Sequence, residues 1–345
     1  MDALSNLLLG FSVALTPVNL FWCLVGVILG TMAQKYFAPA LLGLDLEETG
    51  VVISKLHSVR YGHPITKAAI EIAIFDALGK AYRVPLCRFF GGPHRREINL
   101  VGGLGMDLGP EAIGARARLL QQEGFRTFKI KIGQPDHAKD IERVRAVRQA
   151  VGDDASIRVD GNAAYSFADA RVVLHELSRF HITDAEQPLT RSDLRSLAEL
   201  RRAVGIPIAV QESVSSPEDA LAVLEEQAAD LLKIKLTHIG GFERAREVAA
   251  VVGTRGLAVV IGQGSACTTI LSAAEMQLHC ALKNAQPGGE MTGFMKARGA
   301  LVVRTGTMSA ANSIVVASKY GVKRKSHELF SETTTSLENN FRISA

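Results

Sequence analysis

Two lysines stand out in the run Phe128-Lys129-Ile130-Lys131-Ile132-Gly133, because they lie two residues apart in an otherwise apolar segment. The segment is typical of a short buried strand, and side chains two residues apart on a strand point to the same face. A lysine that points into a protein is costly to bury unless an anionic group lies opposite it. The alternative is that both side chains extend along the surface to solvent, as lysines commonly do.

Polar residues also end the strand-like runs that follow along the chain. Asp160, Glu186, the pair Gln211-Glu212, and Lys235 each close a short apolar segment. The step from one to the next is about 24 to 29 residues, the size of one strand, loop and helix unit in a parallel barrel. Taken singly, each acid is better explained as a helix N-cap or a surface carboxylate. Their recurrence at one topological position favours a shared site.

These strand ends are predicted to form a metal site. Functional side chains of a parallel barrel lie at the carboxyl ends of the strands, around one mouth. Asp160 and Glu186 would then be neighbours, with a third oxygen donor from Gln211 or Glu212. Hard oxygen ligands of this kind suit Mg²⁺, with Mn²⁺ as an alternative, and leave positions open for water and a substrate carboxylate.

The lysines predict acid–base chemistry on either side of that metal. Lys131 and Lys235 fall on the second and sixth predicted strands, on opposite sides of an eight-membered ring. Burial and a nearby divalent cation lower a lysine pKa, so a neutral lysine could remove a proton α to a carboxylate. Lys129 and the metal would stabilise the resulting enediolate. Lys233 also has the spacing to face inward, and we rank it below Lys235.

The elements that must position these residues alternate regularly. Strand-like runs separated by amphipathic helices predict an α/β fold, and seven or eight such units predict a (β/α)₇₋₈ TIM-type barrel. A mainly helical segment is expected before the barrel, and the family resemblance given below implies that it is a truncated α+β capping domain. The predicted divisions are an apolar leader at residues 1–34, a partial cap at 35–95, the catalytic barrel at 96–304 and a polar, basic tail at 305–345.

The leader has an unusual composition, because residues 3–34 contain no charged side chain. Residues 7–28 are nearly all apolar and long enough to cross a bilayer as a helix, so membrane contact is one expectation. A buried hairpin of helices is the alternative. The first thirty residues also resemble the start of the large membrane subunit of tripartite tricarboxylate transporters. This resemblance implies a fusion or gene-rearrangement product.

Composition excludes several other classes of function. The chain has 345 residues and a net charge of +4, and its basic and acidic residues are interleaved, which argues against a nucleic-acid partner. Its four cysteines lie far apart without CxxC spacing, so they predict neither a zinc site nor a disulfide framework. A reducing, cytoplasmic location is therefore expected for the barrel, whereas the oligomeric state, including a homo-oligomer, stays open.

Five separated motifs resemble the enolase superfamily, and within it the two-lysine, muconate-lactonizing subgroup of the mandelate racemase/muconate lactonizing enzyme family. The resemblance implies that Lys131 and Lys235 are the acid–base pair, that Asp160 and Glu186 bind the metal, and that Asn162 is a supporting polar residue. The motifs are Lys129-Ile130-Lys131, Val159-Asp160-Gly161-Asn162, Glu186-Gln187-Pro188, Gln211-Glu212-Ser213, and Lys233-Ile234-Lys235-Leu236 with Ile239-Gly240-Gly241.

The resemblance implies an Mg²⁺-dependent isomerase that acts on a small carboxylate: a muconate cycloisomerase or a racemase or epimerase of amino-acid derivatives, with a dehydratase as a third outcome. Two departures matter. The third ligand of the subgroup is usually an Asp, and here it is Gln211, with Glu212 as the other candidate. Residues 1–35 also lack the small sheet that begins the family's cap. The alternative prediction is therefore a catalytically impaired fusion or truncated family member, either free or tethered to a membrane.

Overall fold

Parallel strands and helices alternate in the computed structural model, which describes residues 30–263 and 268–293. Within these residues one sheet contains seven parallel strands in sequence order, each paired with the next along the chain. This arrangement confirms the predicted α/β class. The strands are β1 (Val101–Leu104), β2 (Thr127–Lys131), β3 (Ser156–Asp160), β4 (Ile182–Glu186), β5 (Ile208–Val210), β6 (Leu231–Ile234) and β7 (Ala258–Ile261).

The helices of the described residues connect these strands or precede them. Before β1 lie a π-helical turn at Ala33–Phe37, α1 (Ala38–Leu41), α2 (Thr49–Ser58), α3 (Pro64–Tyr82) and a 3₁₀ turn at Leu86–Phe90. The helices between strands, and after β7, are α4 (Pro110–Gln122), α5 (His137–Val151), α6 (Phe167–Ser178), α7 (Leu194–Ala203), α8 (Pro217–Glu225), α9 (Leu236–Ile239), α10 (Phe242–Gly253) and α11 (Thr269–Ala281).

Local sequence signals explain where the connecting helices begin. The Ser166 side chain accepts a hydrogen bond from the Asp169 amide at the start of α6, and the Ser216 side chain accepts one from the Asp219 amide at the start of α8. Pro217 then occupies the first turn of α8, where no intrahelical donor is needed. Each helix packs its apolar stripe on the sheet, so the strand ends are held at one mouth.

The segment 285–290 closes the curled sheet between β7 and β1. Its backbone forms single parallel bridges to both neighbours, Val259 with Ala285 and Leu100 with Gly289. From the barrel interior, the buried Arg158 guanidinium donates to the carbonyl oxygens of Pro287 and Gly288 at 3.2 and 3.3 Å. The segment 285–290 and the Arg158 side chain therefore complete the ring of strands, through isolated bridges and hydrogen bonds to backbone carbonyls.

Helix α3 joins the N-terminal helices to the barrel through a buried carboxylate. Glu71 is fully buried, and its Oε1 accepts the Glu243 amide at 2.9 Å, at the start of α10. Gly241 has a φ of +134°, and any side chain there would collide with the Glu71 carboxylate. Because Lys235 and the short helix α9 lie between β6 and α10, Glu71 fixes the far end of the segment beyond that lysine.

Several predictions from the sequence concern residues outside the described part of the chain. The apolar stretch at 7–28, the transporter-like first thirty residues and the tail at 305–345 all fall there, apart from Gly30. Among residues 30–263 and 268–293, no helix combines the length and the hydropathy that crossing a bilayer requires.

The pH dependence of stability tests the role of Glu71. Burial raises the pKa of Glu71 to about 7 from an ordinary value of 4.5, against the opposing effect of the Glu243 amide. Between pH 4.5 and about 7, Glu71 therefore keeps its proton in the folded chain but has lost it in the unfolded chain. As a result, Glu71 makes the unfolding free energy fall as the pH rises through this window. Replacing Glu71 with Gln, which keeps an acceptor, should remove about 2 kcal/mol of this loss.

Urea denaturation of the wild type and of Glu71→Gln at pH 5 and pH 8 measures this difference. Glu247→Gln is the matched control, because Glu247 is an exposed acid on α10. An equal change with pH in the wild type and in Glu71→Gln would contradict the assignment.

Candidate active site

Two buried carboxylates meet at the carboxyl ends of β3 and β4. Asp160 and Glu186 are register partners at the last position of their strands. Both are almost completely buried. One oxygen of each, Asp160 Oδ2 and Glu186 Oε2, lies 2.7 Å from the same Lys129 Nζ. The predicted ligands of strands three and four are therefore brought together around one cation-sized position.

Lys129 holds Asp160 in its charged form. Burial by itself would lower the pKa of Lys129, but the carboxylates of Glu186, Glu290 and Asp160 outweigh it and raise that pKa well above its usual value. Burial likewise opposes the charge on Asp160, and Lys129, Lys131 and other ammonium groups nevertheless keep its pKa below its ordinary range. Lys129 is thus held as an ammonium group and Asp160 as a carboxylate.

Lys233 and Glu290 complete the buried part of the cluster. Lys233 Nζ lies 3.1 Å from Glu186 Oε2 and 2.5 Å from Glu290 Oε2, and Lys129 Nζ lies 3.2 Å from the same Glu290 oxygen. Burial would raise the pKa of Glu290, but the two ammonium groups lower it to about 2. We ranked Lys233 below Lys235, whereas the structure places Lys233, together with Glu290, within the charged cluster.

The two predicted acid–base lysines lie at opposite ends of the row Asp160, Glu186 and Gln211. Lys131 Nζ lies 2.6 Å from Asp160 Oδ2, and it also donates to Asn162 Oδ1. Lys235 Nζ donates to Gln211 Oε1 at 2.6 Å. Strand β2 and the end of β6 are four strands apart in the sheet order. The two amines therefore approach the row of oxygens from different sides of the barrel.

The lysines of the site differ in how exposed their side chains are and in how their surroundings change their pKa. The side chain of Lys131 is 35% exposed, whereas that of Lys129 is 7% exposed, so Lys131 reaches the open mouth. Burial lowers the pKa of Lys235, and the ammonium of Lys233 lowers it further. Lys235 therefore loses its proton more readily than an ordinary lysine does, and the neutral amine is the form that a general base requires.

Gln211 and Glu212 both contact the site. Strand β5 ends at Val210, so both residues lie in the turn after it, where strand alternation no longer separates their side chains. Glu212 Oε1 accepts from Asn162 Nδ2 at 2.9 Å, and Glu212 Oε2 is buried without a hydrogen-bond partner in the part of the chain that the structure describes. The geometry therefore leaves Gln211 and Glu212 as two candidates for the third metal donor.

The oxygen set suits a hard cation. One oxygen from each of Asp160 and Glu186 converges on the Lys129 ammonium, so the two carboxylates are close enough to act together on one cation. The amide oxygen of Gln211 adds a third donor of the type that Mg²⁺ binds. Residues 30–263 and 268–293 contain no group of three or more His, Cys, Asp or Glu side chains arranged to hold a metal. The site thus offers two carboxylates and an amide, and we expect weaker binding than three carboxylates would give.

Helix α5 supports the Lys131 end of the site with buried charged residues that sequence reasoning missed. The buried Arg143 guanidinium donates to the Lys131 carbonyl at 2.7 Å and to the Leu108 carbonyl at 2.9 Å. Asp140 Oδ2 accepts the amides of Gly133 and Gln134 at 2.8 and 2.9 Å. Their signal in the sequence was an Asp and an Arg three residues apart on the face of the helix that also carries its buried valines.

Comparison with known proteins identifies similar chains with related activities. The family model for the enolase C-terminal domain-like family matches residues 112–320. Muconate cycloisomerase 1 of Rhodococcus opacus is 32% identical over 262 residues, which cover 76% of this chain and 70% of that protein. The hydrophobic dipeptide epimerase of Enterococcus faecalis is 34% identical over 253 residues, covering 72% and 70%. The L-Ala-D/L-Glu epimerase of Clostridium acetobutylicum is 31% identical, and the match covers 64% of its length.

Solved structures show the same architecture. The 2-chloromuconate cycloisomerase of Rhodococcus opacus superposes with a TM-score of 0.76 and 29% identity, covering 81% of this chain and 76% of that chain. The Enterococcus faecalis dipeptide epimerase, in its complex with Mg and the dipeptide L-Leu-L-Tyr, gives a TM-score of 0.73 and 30% identity, covering 80% and 76%. These similarities confirm the TIM-type barrel that the sequence predicts.

Substitution of Gln211 tests the third metal donor. Gln211→Asp should raise the affinity for Mg²⁺ by about tenfold or more, because it adds a full negative charge next to a divalent cation. Isothermal titration calorimetry with Mg²⁺ measures this change, with Glu212→Gln as the matched variant at the neighbouring position. Equal affinity of Gln211→Asp and the wild type, together with a large loss in Glu212→Gln, would assign the third donor to Glu212.

Proposed function

The chain belongs to the enolase superfamily through its C-terminal barrel domain, and from this membership we propose that it catalyses Mg²⁺-dependent proton transfer at the carbon α to a substrate carboxylate. The relatives that it matches are isomerases, namely cycloisomerases, epimerases and a racemase. Lys131 and Lys235 support the two-lysine, muconate-lactonizing subgroup, whereas Gln211 departs from its usual Asp. Asp160, Glu186 and a third oxygen donor after β5 would hold the metal, which when bound would polarise the substrate carboxylate.

One observation carries the proposal: a lysine amine lies at each end of the row of candidate ligands. Lys131 contacts Asp160, and Lys235 contacts Gln211. A substrate carboxylate held near the middle of this row would present its α carbon between the two amines. Proton removal on one face and proton delivery on the other is what an epimerase or racemase needs.

The proton transfers follow from the charges of the lysines. Neutral Lys235 takes the α proton and becomes an ammonium, and the electron pair of the broken C–H bond moves into the carboxylate to form an enediolate. Lys129, whose pKa is raised well above the ordinary value by its carboxylate neighbours, stays cationic and offsets the new charge. Lys131 as an ammonium then delivers a proton to the opposite face, which inverts the configuration.

The same residues can serve a cycloisomerisation. Attack of a carboxylate on a conjugated double bond also produces an enediolate, and a lysine ammonium can then protonate its α carbon. The substrate class is therefore a small carboxylate, either a dienoic acid or an amino-acid derivative such as a dipeptide or an N-acyl amino acid. The names of the relatives cover both kinds of substrate.

Exchange of the α proton tests the proposal directly. We expect Mg²⁺-dependent incorporation of deuterium from D₂O into at least one member of a panel of dipeptides, N-acyl amino acids and dienoic acids, followed by NMR. Lys131→Ala and Lys235→Ala should each slow exchange by about 10² to 10⁴-fold. With the separate enantiomers, each variant should block exchange of a different one, because the two lysines serve opposite faces.

Lys139→Ala is the matched control, because the side chain of Lys139 is 61% exposed on α5. Equal slowing in Lys139→Ala and in the two site variants would remove the catalytic assignment. No exchange across the panel, combined with no measurable binding of Mg²⁺, would favour the catalytically impaired fusion instead.

A further inference from the structure

Gln187, which directly follows Glu186 at the end of β4, is completely buried. We propose that Gln187 is a positioning residue, which sets the place of the third metal donor relative to Glu186 and so determines metal affinity. This inference rests on the proposed function, because it assumes that the strand ends bind a divalent cation. It concerns a residue whose own atoms contact neither the carboxylate oxygens nor the lysine amines.

The side-chain amide of Gln187 is fully used by the turn after β5. Gln187 Oε1 accepts the backbone amides of Gln211 at 3.0 Å and of Ser213 at 3.2 Å. Gln187 Nε2 donates to the Leu189 carbonyl at 3.0 Å and to Ser213 Oγ at 2.9 Å. The side chain therefore holds the backbone of Gln211 directly and that of Glu212 from both sides, so either candidate for the third donor depends on it.

The sheet itself cannot supply this support. Strand β5 has three residues, and its register with β4 contains two pairs, of which Glu186 with Ala209 is the last. The Gln187 amide continues this ladder one step, by donating to the Ala209 carbonyl at 2.8 Å. Beyond that point, the Gln211 and Ser213 amides would have no strand partner. A buried amide without a partner is costly, so the side chain of Gln187 takes the place of the missing strand.

Gln187 also joins the turn after β5, which carries Gln211, to the turn after β3, which follows Asp160. Its carbonyl accepts the Ala163 amide at 2.7 Å, and the Glu186 carbonyl accepts the Gly161 amide at 2.9 Å. Both donors lie in the turn that follows Asp160. The turns after β3, β4 and β5 therefore share one residue as their common support.

The backbone of Gln187 shows that this support is maintained against a conformational cost. Its φ is +37°, in the left-handed region that residues other than glycine rarely adopt. Glycine would relieve this strain but would provide none of the side-chain bonds. The strained backbone and the fully satisfied side chain together indicate that the bonds to the β5 turn are what the position requires.

Substitutions that separate these bonds from simple packing test the proposal. Gln187→Met keeps the length and removes every polar bond, and Gln187→Asn keeps the amide on a side chain too short to reach. Gln187→Glu keeps the acceptor for the Gln211 and Ser213 amides. Ser213→Ala is the matched control, because it removes one hydroxyl partner and leaves the Gln211 amide bonded.

The primary measurement is the affinity for Mn²⁺, read from the electron paramagnetic resonance signal of the free ion, with the melting temperature recorded in parallel. Gln187→Met and Gln187→Asn should weaken Mn²⁺ binding by about tenfold or more, because the third donor is displaced. Gln187→Glu and Ser213→Ala should stay within about threefold of the wild type. Deuterium exchange followed by mass spectrometry should also show faster exchange at the 211 and 213 amides in the weakened variants.

The outcomes separate this inference from the proposed function. Faster exchange in Gln187→Met or Gln187→Asn, with wild-type affinity for Mn²⁺, would reduce Gln187 to a structural residue and overturn the proposal. Equal loss in Ser213→Ala and Gln187→Met would also overturn it, since the bond to the Gln211 amide would then not matter. If Gln187→Met does not fold, Gln187→Asn decides the comparison. Absence of Mn²⁺ binding in the wild type would remove the metal from the proposed function as well.

Discussion

The mutual neutralisation of buried lysines and carboxylates is the interaction on which the rest of the structure depends. Asp160, Glu186 and Glu290 are brought out of water at the barrel mouth, and Lys129 and Lys233 lie between them at hydrogen-bond distances. An isolated buried charge would be severely destabilising, whereas a paired and hydrogen-bonded cluster can be tolerated. Lys129 on β2 and Lys233 on β6 therefore make it possible to bury acidic side chains at the ends of apolar strands.

This charge balance also explains how neighbouring lysines acquire different chemistry. Lys129 is surrounded by three carboxylates and stays an ammonium. Burial lowers the pKa of Lys235, and the Lys233 ammonium lowers it further, while the side chain that Lys235 contacts is the neutral amide of Gln211. An amide at position 211, in place of a carboxylate, therefore affects two groups at once. It adds no negative charge to the candidate metal site, and it gives the adjacent lysine no ion-pair partner at that position.

Regular spacing made much of the site predictable from the sequence, and irregular parts of it were not. The sequence predicted that three residues lie at neighbouring strand ends, because successive apolar runs, each about one strand–helix unit apart, end at Lys131, Asp160 and Glu186. Glu290 follows a segment that forms only isolated bridges, so no apolar run marked its position. The role of Gln187 depends on the distance between two neighbouring turns, which a sequence does not contain. The domain boundaries and the role of each site residue stay predictions.

The segment that closes the barrel has a consequence for the order of folding. It brings the last part of the barrel against β1, so its contacts span nearly the whole domain and form late by the entropy of loop closure. Glu290 lies on this segment and neutralises Lys129 and Lys233. During synthesis on the ribosome, Lys129 and Lys233 have only Asp160 and Glu186 as buried counter-ions until residue 290 is added. We therefore expect the charged cluster to be completed in the step that closes the barrel.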